Sequence, residues 1–550
     1  MSSKPWRVRA IAASATVAAV SMLAACGGSS NGSSSGSTSS ASGPTGVLTV
    51  ATGATAYPND FNLYSPNAED ATNGMIYEPL FFYDTAKAGS TEPWLGTSYA
   101  WSAGGKTLTV QLRHNVKWTD GKPFTSADVV FTFDQALHST ALNKFGLPLA
   151  SVSAAGRYSV TINFTKPAYT DAYYALGRVE ILPQHIWQSI KNPTTFLNQH
   201  PVGTGAYTVT KFTPQAFELT ANPHYYMPGL PHFKTIRFLA FSGNTTLNAA
   251  IEAGQLDWSG AFIPNIKKTY MAKDPKNIVS DIPLATTFLV SNMATGPTTK
   301  LAVRQAISAA VNRSYISNTV YDGFAPASNP EALIRPNYNS VLNPDLASAS
   351  FSSGGAAAAK KILARAGIAT PLSLTVKMVA GYTDYLSDLQ IIQQELKPAG
   401  INLSIDQEAY TAFISDQDNG NFQLLIDSFG YTPDPWSYYY SLLDSAISPP
   451  IGKADTVGNY ERYRNPQVDS LLSQIAGTTD PSVQKPAFDK IEQIFSQELP
   501  LIPMWESQDE IEFNGHFVTN IPTVSNAYGA PAVYIQPDIG WIAARLVPVS

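Results

Sequence analysis

Apolar residues alternate with polar ones, or recur every three to four positions, along most of the chain, and these two periods separate strands from helices. Gly46 to Thr52 alternates Val47, Thr49 and Ala51 against Leu48 and Val50, which predicts a strand leading into turn residues at Pro58-Asn59-Asp60. Leu108 to Val116 alternates in the same way until Thr119-Asp-Gly-Lys-Pro123 breaks it. Thr125 and Asp128 then have the spacing of a capping box, ahead of a helix through Ala136. Lys300 to Asn312 reads as a helix with Leu301, Ala306, Ile307, Ala310 and Val311 on or near one face. Leu386, Leu389, Ile392 and Leu396 repeat at helical spacing before Pro398-Ala-Gly400 ends the run, and Ile401, Leu403 and Ile405 alternate directly after it. Leu424-Leu425-Ile426 is a further apolar run. Val468, Leu471, Leu472 and Ile475, then Phe488, Ile491, Ile494 and Phe495, predict two more amphipathic helices. Helix followed by strand in this half indicates an α/β lobe. No repeat of solenoid length recurs, so the body is compact and multidomain.

The first residues depart from this pattern. Lys4, Arg7 and Arg9 precede an uncharged stretch from Ala10 to Leu23 that ends at Leu23-Ala24-Ala25-Cys26, the layout of a signal peptide over residues 1–25. The stretch is shorter than the about 20 residues a spanning helix needs, and no later window is long and apolar enough. Cys26 is the only cysteine, so no intramolecular disulfide can form in a protein addressed to an oxidising compartment. Small residues before it and Gly27-Gly28 after it resemble a bacterial lipobox, which marks Cys26 for lipidation; a second acyl chain makes such anchoring stable. Residues 26–45, rich in Ser and Gly, read as a lipidated cysteine followed by a flexible tether.

Charge narrows the partners. The leader carries three positive charges and no negative ones, so its removal takes the formal net charge from −6 to −9, a poor match for nucleic acid or anionic lipid. Charged residues are 14% of the chain against a norm of about 25%, while Tyr, Phe and Trp number 27, 25 and 9, so the surface must rely on Ser, Thr, Asn and Gln. About 500 residues follow the tether, enough for two or three domains.

Catalytic and metal signatures are missing. Gly32-Ser-Ser-Ser-Gly36 has the G-x-S-x-G spacing of hydrolases without the strand and helix it needs, and Gly104-Gly-Lys-Thr107 lacks the first P-loop glycine because Ala100 occupies that place. The seven histidines form no i, i+4 pair. No catalytic residue, resident metal or cofactor is therefore expected. An exported hydrolase stays open as the alternative of another class, since two carboxylates at working distance leave no mark in sequence spacing.

Several segments, in order, resemble the extracytoplasmic solute-binding proteins of family 5, the oligopeptide, dipeptide and nickel binders of ABC importers. They are Tyr77-Glu-Pro-Leu-Phe81, then Leu112-Arg-His-Asn-Val-Lys-Trp-Thr-Asp-Gly-Lys-Pro-Phe124 with Asp128-Val-Val-Phe131. Val202-Gly-Thr-Gly-Ala-Tyr207 with Asn222-Pro-His-Tyr-Tyr226 follows, and then Ala250 to Asp257. Asn292, Val303-Arg-Gln-Ala-Ile307, Asn459 to Asp469 and Leu499-Pro-Leu-Ile-Pro503 complete the set. The resemblance implies an α/β, two-lobed clamp of the periplasmic-binding-protein type (type II) with three structural domains. These are 46–82 plus 203–288 plus 508–550, an insert at 83–202 in the same lobe, and 289–507 as the second lobe. It also implies a monomer that closes on its ligand and delivers it to the permease of an ABC importer.

By the same resemblance, the acidic residue that pairs with a peptide's α-amino group falls on Tyr431, within Phe429-Gly-Tyr-Thr-Pro-Asp-Pro-Trp436, and the only carboxylate in that segment is Asp434. Either Asp434 takes over the role or the ligand has no such amine, because a buried ammonium without a counter-charge is costly. Asp434 equally suits a turn carboxylate before Pro435. Trp436, Tyr438, Tyr439 and Tyr440 suit an apolar cleft, sugar stacking or plain core packing. Asn59, Phe61 and Asn292 are further ligand-binding candidates by resemblance. A short peptide is the expected cargo, with an oligosaccharide or other neutral solute open, and a nickel chelate behind them.

Overall fold

The strand expected at the start of the body runs from Thr45 to Ala51 and lies parallel to Phe233–Leu239 on one side and Trp258–Gly260 on the other. The computed structural model describes residues 44–549 apart from 66, 88–89, 334–337, 339–340, 347–350, 352–353, 431, 456–457 and 508–510. The leader, Cys26, most of the tether and Tyr431 lie outside the described residues. Leu48 and Val50 are fully buried while Val47 is 43% exposed, so the alternation read from sequence is the alternation of faces.

This strand is the centre of a seven-stranded sheet in the order Asn277–Ser280, Ile511–Asn514, Trp258–Gly260, Thr45–Ala51, Phe233–Leu239, Ala216–Ala221 and Tyr207–Thr213. Asp257, just ahead of the neighbouring strand Trp258–Gly260, accepts the Thr49 amide at 2.8 Å. Gly96–Ser102, Thr107–Leu112, Ser159–Phe164 and Leu149–Gly156 form a four-stranded antiparallel sheet. The Thr125 and Asp128 capping box is present and starts the helix Ser126–His138 against it. One continuous apolar core joins the two sheets, with Leu48 and Val50 in the same cluster as Leu108, Val110, Val160 and Ile162. They form one lobe.

The second lobe is built on a five-stranded sheet in the order Ile401–Glu408, Leu372–Val379, Leu424–Gly430, Ala285–Ser291 and Leu501–Ser507. Three of its strands, Leu424–Gly430, Ala285–Ser291 and Leu501–Ser507, are apolar on both faces. Phe288, Val290, Leu425 and Leu501 enter one core, and their neighbours Leu289, Leu424, Ile426 and Ile502 enter another. Helices cover both sides, among them Leu301–Ala310 and Thr383–Leu396 on one, and Pro466–Ala476 and Pro481–Glu498 on the other. The helix read over Lys300 to Asn312 stops at Ala310, because Asn312 caps a new helix, Arg313–Val320, through the Tyr315 amide.

The chain crosses between the lobes along two neighbouring segments. Ser280 pairs with Ile511 in the seven-stranded sheet, and a few residues on Ala285 pairs with Ser507 in the five-stranded one. The second lobe's sheet therefore begins at Ala285, and the boundary expected between 288 and 289 falls inside a strand.

Candidate functional site

The motifs that carry the family resemblance converge first on buried joints. Glu78, fully buried, accepts hydrogen bonds from Trp94 Nε1 at 2.6 Å, Thr204 Oγ1 and Tyr225 OH at 2.8 Å, and Tyr226 OH at 2.9 Å. Four donors offset part of the desolvation that pushes its carboxyl up to about 7. Gly203 and Gly205 pass so close to this joint that a Cβ would lie 1.9 Å from the Ile76 carbonyl oxygen or 2.1 Å from that of Met75. Arg304, also buried, donates to the carbonyl oxygens of Thr298, Thr299, Glu498 and Leu499 and so ties helix ends together. None of these groups is among the described residues that line the two solute-sized cavities between the lobes.

The solute-sized space lies between the lobes. A cavity of about 790 Å³ is bordered on one side by Phe241, Phe262 and Tyr534, and on the other by Tyr321, Phe324, Tyr382, Tyr385 and Trp505. Tyr321 packs between Trp505 and Phe262, with ring centroids at 5.6 and 6.2 Å, and its hydroxyl donates to Asp388 at 2.6 Å. Along the floor Ser428 Oγ meets Thr287 Oγ1 at 2.7 Å and the Tyr385 hydroxyl at 2.6 Å, making a row of three linked hydroxyls. Asp384 is the one formally charged side chain among the described lining residues. At the edge, Lys267 of the first lobe donates to the Asp322 carbonyl oxygen of the second and lies 4.9 Å from the centre of the Phe324 ring.

A second cavity of about 300 Å³ contains the segment on which sequence reasoning centred. Tyr83, Tyr99, Tyr169 and Tyr173 approach from the first lobe, and Asp434, Trp436 and Phe488 from the second. Asp434 is the N-cap of the helix Pro435–Leu443: Oδ1 accepts the Ser437 amide and Oδ2 the Ser437 hydroxyl, both at 2.8 Å. Burial pushes its carboxyl up. Trp436 donates from Nε1 to the Leu472 carbonyl oxygen and stacks on Tyr440 at 4.7 Å, whereas Tyr438 and Tyr439 are core residues.

The remaining candidates lie apart from both cavities. Phe61 is fully buried in edge-to-face contact with Phe217 and Phe212, so its ring is spent on the core of the first lobe. Asn292, also fully buried, donates to the carbonyl oxygens of Gly420 and Phe422 and accepts the amides of Ala294 and Thr295, a loop clasp. Asn59 adopts φ 55° in its turn, and its amide donates to Glu69 at 3.1 Å.

Sequence reasoning missed the lining of the larger cavity by short margins. Trp505 lies two residues beyond the quoted Leu499 to Pro503 motif, and Ser428 immediately precedes Phe429. Tyr382, Asp384 and Tyr385 open the helix whose apolar face was read from Leu386 onward. Their signal was an aromatic and acidic cluster at the start of a helix that follows a parallel strand, where open α/β sheets place ligands. Among the described residues no group of three His, Cys, Asp or Glu could hold a metal ion, and no helix is long and apolar enough to cross a membrane.

Two lobes joined by paired crossing segments, with a solute-sized space between them, define a binding clamp. The chain matches bacterial extracellular solute-binding proteins, family 5 Middle, over residues 90–449, and it belongs to that family. It is 25% identical over 512 residues to the nickel-binding periplasmic protein of Escherichia coli K12, covering 88% of this chain and 92% of that one. A crystal structure of the periplasmic oligopeptide-binding protein of an oligopeptide ABC transporter from Thermotoga maritima superposes with a TM-score of 0.83 at 25% identity, over 92% of this chain and 99% of that one. The mannohexaose-bound form of that Thermotoga protein superposes with a TM-score of 0.79 at 25% identity, over 91% and 98%.

Proposed function

We propose that the protein is the extracytoplasmic binding component of an ABC importer: it closes on a small solute in the cleft and hands it to the membrane permease. The observation that carries this reading is the 790 Å³ cavity bordered by side chains of both lobes. A solute that touches both walls binds the closed form better than the open one and draws the equilibrium toward closure. The permease then has a shape to recognise that exists only when cargo is aboard. Cys26 would hold the protein at the outer face of the cytoplasmic membrane by lipid, with the 26–45 tether giving a monomeric body room to swing.

Among the relatives, names point to oligopeptide and nickel, and one structure holds mannohexaose. Those names make a short peptide, an oligosaccharide and a nickel chelate the candidate cargoes. In this reading the smaller cavity, beside Asp434 and Trp436, receives the far end of a longer solute. Against a hydrolase stand the relatives, which are named as binding proteins and not as enzymes. The test is a native mass spectrum of the gently purified full-length protein, since a closed cleft retains cargo from its host. A single solute held one to one is the expected result, and chemical turnover of that solute by the pure protein would contradict it.

A further inference from the structure

The chemistry of the cleft names a class of cargo, an inference that rests on the capture reading above. Eight aromatic side chains and the hydroxyls of Thr52, Thr55, Thr287, Ser428 and Ser507 border the space, and among the described lining residues there is no Lys, Arg or His. Lys267, at the edge, is held by the Asp322 carbonyl oxygen and the Phe324 ring. A free peptide brings a carboxylate into the closed cleft, and a buried charge without a partner is strongly disfavoured. A lone ammonium would find Asp384 and ring faces, but it would leave the linked hydroxyls of Thr287, Ser428 and Tyr385 without a polar ligand edge to meet.

A ring compound with an apolar face and a rim of hydroxyls satisfies both features. Its face covers aromatic surface, its rim exchanges hydrogen bonds with the hydroxyl row, and the several lone pairs of one carboxylate accept from two neighbouring ligand hydroxyls. Tyr382 of the second lobe and Tyr534 of the first are still 46% and 43% exposed, so closure has aromatic surface left to cover. We infer that the cleft is built for an uncharged, hydroxyl-rich ring solute, a short oligosaccharide, with Tyr382 and Tyr534 as stacking surfaces and Asp384 accepting its hydroxyls.

The test is isothermal titration of the full-length protein in mild detergent with neutral gluco- and manno-oligosaccharides, with short peptides, and with spermidine. An oligosaccharide should bind while peptides and spermidine fail to compete. Tyr382→Ala and Asp384→Asn should each weaken that binding by about tenfold or more with the melting temperature of the ligand-free protein unchanged. Preferential binding of a peptide or of spermidine, or an oligosaccharide affinity that ignores both substitutions, overturns the assignment and leaves capture between the lobes standing. Heat from none of the three classes, together with a native mass spectrum of bare protein, overturns both.

Discussion

A methyl group on Gly203 would sit 1.9 Å from the Ile76 carbonyl oxygen, and backbone cannot step aside as a flexible side chain can. Gly203→Ala should therefore cost about 3 kcal/mol or more. Gly121, at φ +87° with open space around it, should cost only about 1 kcal/mol as Ala. Denaturant midpoints of the two variants test the contrast, and equal shifts would contradict it. The glycines stood in the motifs read from sequence; the carbonyls they pass did not, because Ile76 and Gly203 are distant in the chain. Burial has consequences of its own at Glu492, whose carboxyl accepts the Asn343 amide at 2.7 Å with its other oxygen, Oε1, buried and unbonded. Burial pushes this carboxyl from 4.5 up to about 8. Between those values the folded state holds a proton that the unfolded state has lost, so its contribution to stability falls by about 1.4 kcal/mol per pH unit as pH rises. Glu492→Gln, which cannot ionise, should gain on the parent protein between pH 5 and pH 8; melting curves that stay parallel across that range would refute it.

Helices and strands with a clear period were legible one at a time. Leu386 to Leu396 and Ile401 to Ile405 became the helix Thr383–Leu396 and the strand Ile401–Glu408, and the capping box at Thr125 and Asp128 formed as spelled. What the period could not tell is which strands meet. Ile511–Asn514 inserts between Asn277–Ser280 and Trp258–Gly260, a pairing set by packing across most of the chain. The segment at 429–436 shows the same limit. Its carboxylate was read both as a ligand anchor and as a turn residue, and Asp434 caps the helix Pro435–Leu443 through both oxygens while bordering a cavity. Asp434→Ala should cost about 1 kcal/mol, whereas Asp434→Asn keeps a capping oxygen. With the ligand uncharged, Asp434→Asn should leave solute affinity within about twofold. A sharp loss in that variant would place a cationic ligand group at Asp434 instead.

At the scale of the molecule, low charge and abundant aromatics were visible in composition, but their meeting in one cleft was not. Phe241, Phe262 and Tyr534 are scattered along the chain from Tyr321, Tyr382 and Trp505, and only the return of the C-terminal segment to the first lobe brings them to one space. The leader and Cys26 make a separate prediction. Cys26→Ala should move the protein from the membrane fraction to the soluble exported fraction with its fold intact, and unchanged membrane retention would contradict lipid anchoring. The account as a whole rests on closure. Small-angle X-ray scattering from the soluble Cys26→Ala protein, alone and saturated with the solute that binds it most tightly, tests that directly. A smaller radius of gyration with solute bound is predicted; superimposable profiles at saturation would show that the lobes do not close on their cargo.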